Sequence, residues 1–146
     1  MDGFNVLLVD DEAEFLDTLV KRVKKRNVSA YGVGSGEEAL AFLNQQQVDV
    51  VVLDVRMPGM DGIQTLRQIK QQFPLVEVIM LTGHASLEVA IEGMELGAFD
   101  YMMKPIEIDE LLYKLQDAYK KKSIQAAKIE KMKEVAGGGA SPTDKS

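Results

Sequence analysis

The chain has 146 residues, 46% of them hydrophobic, and its 17 Lys and Arg against 23 Asp and Glu leave a net charge of −6. That length suits one domain with a core of its own, and the absence of cysteine excludes disulfides and thiolate metal sites. The acidic balance argues against general affinity for nucleic acid, the N-terminus lacks a signal-peptide pattern and no apolar run approaches the ~20 residues of a membrane span, so a soluble cytoplasmic protein is expected.

The first apolar run, NVLLV at 5–9, is nearly continuous in Val and Leu, as in a strand covered on both faces. A helix follows over Ala13 to Arg26, with Phe15, Leu16, Leu19, Val20 and Val23 at helical spacing. The second run, VSAYGV at 28–33, is more mixed and suits an edge strand. Gly36 to Gln46 reads as a helix that Ser35 can cap, with Glu37 and Glu38 favourably placed in its first turn. VDVVVL at 48–53 is the third strand. A helix over Ile63 to Phe73 carries Ile63, Leu66, Ile69 and Phe73 on one face. VEVIML at 76–81 is the fourth strand, and Ser86 to Leu96 a helix that stops at Gly97. FDYMM at 99–103, mixed again, suits the other edge. Asp109 caps or opens the last helix, which turns Leu111, Leu112 and Leu115 inward. This βαβαβαβαβα order, joined by right-handed crossovers, predicts a three-layer α/β sandwich with a parallel sheet.

Beyond Lys122 the apolar stripe thins. SIQAAKIEKMKEV either extends the last helix or forms another, and AGGGASPTDKS (136–146) reads as a disordered tail or linker. One domain is expected over 1–122, followed by a helical extension and Gly-rich tail over 123–146. Lys114 to Lys133 holds seven lysines and two acids. That segment reads as a solvated helix face or, alternatively, as a docking surface for an acidic partner.

Chemistry-bearing residues stand just past the strands: Asp10, Asp11 and Glu12 after the first, Asp54 after the third, Thr82 and Gly83 after the fourth, Lys104 and Pro105 after the fifth. In an open parallel sheet these tips share one edge, where ligands bind. Taken singly, each acid reads as a helix cap, Thr82 as another cap and Lys104 as a surface lysine. Their joint occurrence at the tips of different strands overturns those readings. Crowded carboxylates repel one another, and a hard divalent cation with oxygen ligands, Mg²⁺, relieves the repulsion. With Lys104 beside it, such a site accepts an anion with tetrahedral oxygens. Asp54 is then the natural nucleophile for a phosphoryl group.

The segments LLVDDE, VVVLDVRMPGMDG, VIMLTGHAS and FDYMMKP stand in the order and spacing of a known family, and residues 4–122 resemble the response-regulator receiver domain of two-component signalling. The resemblance implies a flavodoxin-like (βα)5 fold with strand order 2-1-3-4-5 and a cis Lys104–Pro105 bond. It implies that Asp54 is the phosphoacceptor and that Asp10 and Asp11 form the Mg²⁺ pocket, helped by Asp54 and the backbone carbonyl of Arg56. It makes Thr82 the switch hydroxyl, Tyr101 the switch aromatic and Lys104 the phosphate-contacting lysine. Arg56 and His84, two residues past Asp54 and Thr82, are expected to border the phosphoryl group and influence its lifetime, although His84 taken singly reads as a partly exposed residue beside the site. The implied phosphodonor is a sensor histidine kinase or a histidine phosphotransfer protein. Within these 146 residues no DNA-binding or catalytic segment is recognised after the core, so a downstream protein or a second copy is expected to read the face formed by the fourth helix, fifth strand and fifth helix. No direct nucleic-acid or membrane partner is expected.

Two other classes fit less well. An aspartyl phosphohydrolase usually carries a second Asp two residues after the nucleophile, where this chain has Arg56, so a switch is expected rather than a turnover enzyme. A flavodoxin-like cofactor binder wants a Ser/Thr- and Gly-rich loop after the first strand, and DDEAE would repel a phosphate. The P-loop pattern is absent.

Overall fold

The computed structural model describes residues 4–56, 61–83 and 87–138. Five parallel strands alternate with five helices among these residues: β1 (Asn5–Val9), α1 (Ala13–Lys24), β2 (Ser29–Val33), α2 (Gly36–Gln45), β3 (Val50–Asp54), α3 (Gly62–Gln72), β4 (Glu77–Thr82), α4 (Leu87–Glu95), β5 (Asp100–Met103) and α5 (Ile108–Lys133). The sheet order is β2-β1-β3-β4-β5, so the two mixed apolar runs are the edges.

The near-continuous runs are explained by a core on each face of the sheet. Val6 and Leu8, Val50 and Val52, Ile79 and Leu81 face one side, where Leu19, Val23, Leu111, Leu115 and Ala118 of α1 and α5 cover them. The alternate residues Leu7 and Val9, Val51 and Leu53, Val78 and Met80 face the other, under Ala39, Leu43, Leu66 and Ile69 of α2 and α3. Period-2 alternation persists, but with both faces buried the polar residues of β1, β3 and β4 are confined to the strand ends.

Helix ends follow local chemistry. Ser35 caps α2 by accepting from the Glu38 N–H at 3.1 Å. Asp61 and Gln64 form a reciprocal capping box that starts α3 at Gly62, one residue before the sequence suggests. Helix α1 stops at Lys24 instead of running to Arg26, because Asn27 takes a left-handed conformation with φ 65°. Asp109 lies in the first turn of α5, with Glu107 at the cap, and accepts from Arg26 at 2.8 Å. The predicted start of α4 at Ser86 lies outside the described residues.

Helix α5 runs unbroken across residue 122 to Lys133 and ends in a π-helical turn over Glu134–Gly138, where the tail was expected to begin. Its lysines are only partly a solvated face. Lys114 pairs with Asp100, Lys122 with Asp49 at 2.7 Å and Lys121 with Glu77 at 3.4 Å. Asp49 and Glu77 are buried at the N-terminal edge of the sheet, and a buried carboxylate requires a counter-charge. No described helix is long and apolar enough to cross a membrane.

Candidate functional site

Register assembles the site. Val9 pairs with Leu53, so the next residues, Asp10 and Asp54, emerge side by side. Leu81 pairs with Asp54 and Thr82 with Met103, which sets Thr82 and Lys104 at the same sheet edge. Asp10, Asp54 and Thr82 are buried, while Asp11 is exposed. The carboxylates of Asp10, Asp11 and Asp54 each offer an oxygen within 4.8 Å of the others.

Hydrogen bonds orient these groups. Asp10 Oδ1 accepts from the Glu12 N–H at 2.9 Å, and Oδ2 accepts from Lys104 Nζ at 2.9 Å. Asp54 Oδ1 accepts from the Arg56 N–H at 3.0 Å. Asp54 Oδ2 faces Lys104 Nζ at 3.7 Å, beyond hydrogen-bond reach. The backbone N–H of Lys104 donates to the Thr82 carbonyl at 2.8 Å, next to a cis Lys104–Pro105 bond. The Lys104 ammonium also lies 4.3 Å from the centre of the Phe15 ring.

Burial pushes the Asp54 carboxyl above the ordinary carboxylate value; Asp10 and Asp11 push the same way, against the Arg56 N–H and Lys104. For Lys104, burial opposes the charge, but the hydrogen bond to Asp10 and the charge of Asp54 outweigh it, and the ammonium is held above its usual value. The donor set is all oxygen, crowded and partly solvated, which fits a hard divalent ion such as Mg²⁺.

Asp10, Asp11, Asp54, Thr82 and Lys104 thus meet at one edge, with the Arg56 backbone tied to Asp54. Tyr101 stands apart. It is 40% exposed and lines an open cleft of about 320 Å³ with Leu87, Ala90, Ile91 and Met94. His84 lies outside the described residues, as do Met57 to Met60. One contact was not foreseen. Glu12 sits at the N-cap of α1 yet makes no side-chain cap bond, and its Oε1 accepts from Lys104 Nζ at 3.3 Å. Glu is not a preferred N-cap residue, which was the available hint.

The family model described as the response regulator receiver domain matches residues 6–116. The DNA-binding transcriptional regulator NtrC of Proteus hauseri is 37% identical over 118 residues, covering 81% of this chain and 25% of the relative. The transcriptional regulatory protein ZraR of Escherichia coli K12 is 36% identical over 117 residues, covering 80% and 26%. The chain therefore spans about a quarter of the length of these curated relatives. Among solved structures, a receiver domain from Clostridium thermocellum superimposes with TM-score 0.80 at 31% identity, over 84% of this chain and 98% of that one. The receiver domain of a Francisella response regulator gives TM-score 0.75 at 33% identity, over 81% and 98%.

Proposed function

Because this chain belongs to the response regulator receiver domain family of two-component systems, we propose that it is a phosphorylation switch whose phosphoacceptor is Asp54. The observation that carries the reading is the convergence of Asp54 with Asp10, Asp11 and Lys104 at one sheet edge. Asp54 Oδ1 is engaged by the Arg56 N–H, which leaves Oδ2 as the attacking oxygen. A phosphohistidine on a sensor kinase or histidine phosphotransfer protein is the donor. The O–P bond forms as the P–N bond breaks, and the electron pair stays on the imidazole nitrogen, which takes up a proton. The product on Asp54 is an acyl phosphate.

Asp10, Asp11, Asp54 and the Arg56 carbonyl would hold Mg²⁺, which when bound neutralises the phosphoryl oxygens and the crowded carboxylates. Lys104 Nζ follows the new negative charge. The Thr82 hydroxyl turns toward the phosphoryl oxygens, and Tyr101 swings into the apolar cleft beside α4. That repacks the α4–β5–α5 face, which a downstream protein or a second copy reads. Such a step is a two-state element biased by a local charge event. Arg56, at the position where a hydrolase would carry an acid/base, cannot act as a general base, which favours a lasting phosphoryl-aspartate over turnover. Arg56 and His84 would tune its lifetime. The proposed setting is cytoplasmic, and neither nucleic acid nor membrane is a proposed partner of residues 4–138.

Incubation with acetyl phosphate and Mg²⁺ tests this. One hydroxylamine-labile phosphoryl group is expected per chain, lost in Asp54→Asn, and amide protection should change along α4, β5 and α5 when it is added. Unchanged labelling of Asp54→Asn would refute the nucleophile, and protection changes confined to the neighbourhoods of Asp10, Asp54 and Lys104 would refute the switch.

A further inference from the structure

Lys104 Nζ has three carboxylates within reach, and it does not favour Asp54. It bonds Asp10 at 2.9 Å and Glu12 at 3.3 Å, and stands 3.7 Å from Asp54. The Glu12 contact is unusual for its place in the chain. Glu12 has the extended backbone of an N-cap, φ −86° and ψ 99°, where a shorter oxygen-bearing side chain would turn back to bond the first N–H groups of α1. Its side chain makes no such bond and instead crosses from the start of α1 to the residue after β5. A position whose local rule is broken without a local gain is where a functional constraint is expected.

We propose that Glu12 is a positioning residue that holds Lys104 off Asp54 until a phosphoryl group arrives. The two anchors of the lysine differ in kind. Asp10 is buried, with 1% of its side chain exposed, and its other oxygen is fixed by the Glu12 N–H. Glu12 is 67% exposed at its side chain, so its bond to Lys104 is weakened by solvent and is the easier one to give up. Phosphoryl oxygens on Asp54 compete with the Glu12 carboxylate for the ammonium, and water takes over the freed carboxylate. Lys104 then pivots about Asp10 toward Asp54, and the 18% exposure of its side chain leaves it little other freedom. Glu12 therefore acts through Lys104 and touches neither donor nor acceptor. The inference rests on the reading of Asp54 as phosphoacceptor.

The test uses the full chain with Glu12→Gln, which keeps the length and removes the charge, and Glu12→Asp, which keeps the charge and shortens the reach. Phosphoryl uptake from acetyl phosphate is measured at saturating Mg²⁺, with Lys104 intact and in a Lys104→Met background. In metal-free protein labelled with ¹³C at lysine Cε, the Hε signals of Lys104 report how firmly the side chain is held. Both Glu12 variants are expected to speed uptake, by about fivefold at most for a solvent-screened pair, and to move the Lys104 signals toward those of a free lysine. Neither should change uptake once Lys104 is Met. A gain that persists without Lys104, or that appears in Glu12→Gln but not in Glu12→Asp, would make Glu12 a through-space charge and overturn the proposal. Unmoved Lys104 signals in both variants would overturn it without any phosphoryl chemistry. If Asp54→Asn still took up phosphoryl, the phosphoacceptor reading would fail, and the metal-free signals would still decide whether Glu12 holds Lys104.

Discussion

Asp54→Asn should stabilise the metal-free protein, and the structure sets the direction of the change. At an effective dielectric of ~20, Lys104 at 3.7 Å attracts the Asp54 carboxylate by about 4.5 kcal/mol. Asp10, with an oxygen within 4.8 Å, repels it by about 3.5 kcal/mol or more on the same scale. Asp11 adds repulsion, discounted because it is exposed to solvent. The charge terms nearly cancel, and the Arg56 N–H, which favours the carboxylate, keeps an oxygen acceptor in the Asn variant, so burial, the largest cause of the raised pKa, decides. Removing the charge should therefore raise stability, by on the order of 1 kcal/mol or a few degrees in Tm, the ordinary size of a point-substitution effect. The pH dependence has a definite sign. A carboxyl whose native pKa is raised binds its proton more tightly when folded, so its ionisation penalises the native state. The advantage of the Asn variant is therefore full at pH 7. It shrinks as pH falls through the raised value and is gone below the ordinary value of 3.8. Urea unfolding of both proteins in EDTA at pH 7 and at stepwise lower pH measures it. Saturating Mg²⁺ should narrow or reverse the gap, because it binds the native carboxylates. An Asn variant less stable than the parent by more than about 1 kcal/mol in EDTA at pH 7 would refute the crowding argument, and would mean that the Lys104 pair outweighs burial.

Lys122→Met keeps the aliphatic stem and strands the Asp49 carboxylate, whose remaining partner is the Asn5 N–H at 2.8 Å. A loss of about 2–3 kcal/mol in urea unfolding is expected, largely recovered by adding Asp49→Asn; a change under about 0.5 kcal/mol would return Lys122 to a solvated face. In Gly62→Ala the new Cβ would sit 2.2 Å from Val55 Cα and 2.7 Å from the Asp54 carbonyl oxygen, contacts that only a backbone shift relieves. Thermal unfolding should show a loss of about 3 kcal/mol, with slower phosphoryl uptake because the moved segment follows Asp54; parent-like values in both assays would show that the start of α3 is not tightly seated.

Much of the molecule was legible because its signals are local. Apolar continuity marked β1, β3 and β4, the mixed runs marked the two edges, and Asp10, Asp54, Thr82 and Lys104 were recognisable as strand-tip residues by position alone. Strand order was not legible from periodicity, which says which faces are covered but not which strands are neighbours; the family resemblance supplied 2-1-3-4-5. The partners of the lysines were decided only by the tertiary structure. Lys121 and Lys122 look like a solvated run until the sheet brings the buried Glu77 and Asp49 against α5. Glu12 looks like a helix cap until β5 delivers Lys104 from 92 residues away. The family resemblance implies a switch role for Tyr101, but its exposed setting beside α4 depends on how that helix packs on the sheet. The physical reason is one of range: strand pattern and strand-tip chemistry follow from neighbours in the chain, whereas the pairing of a charge depends on which distant element folding brings within a few ångströms of it.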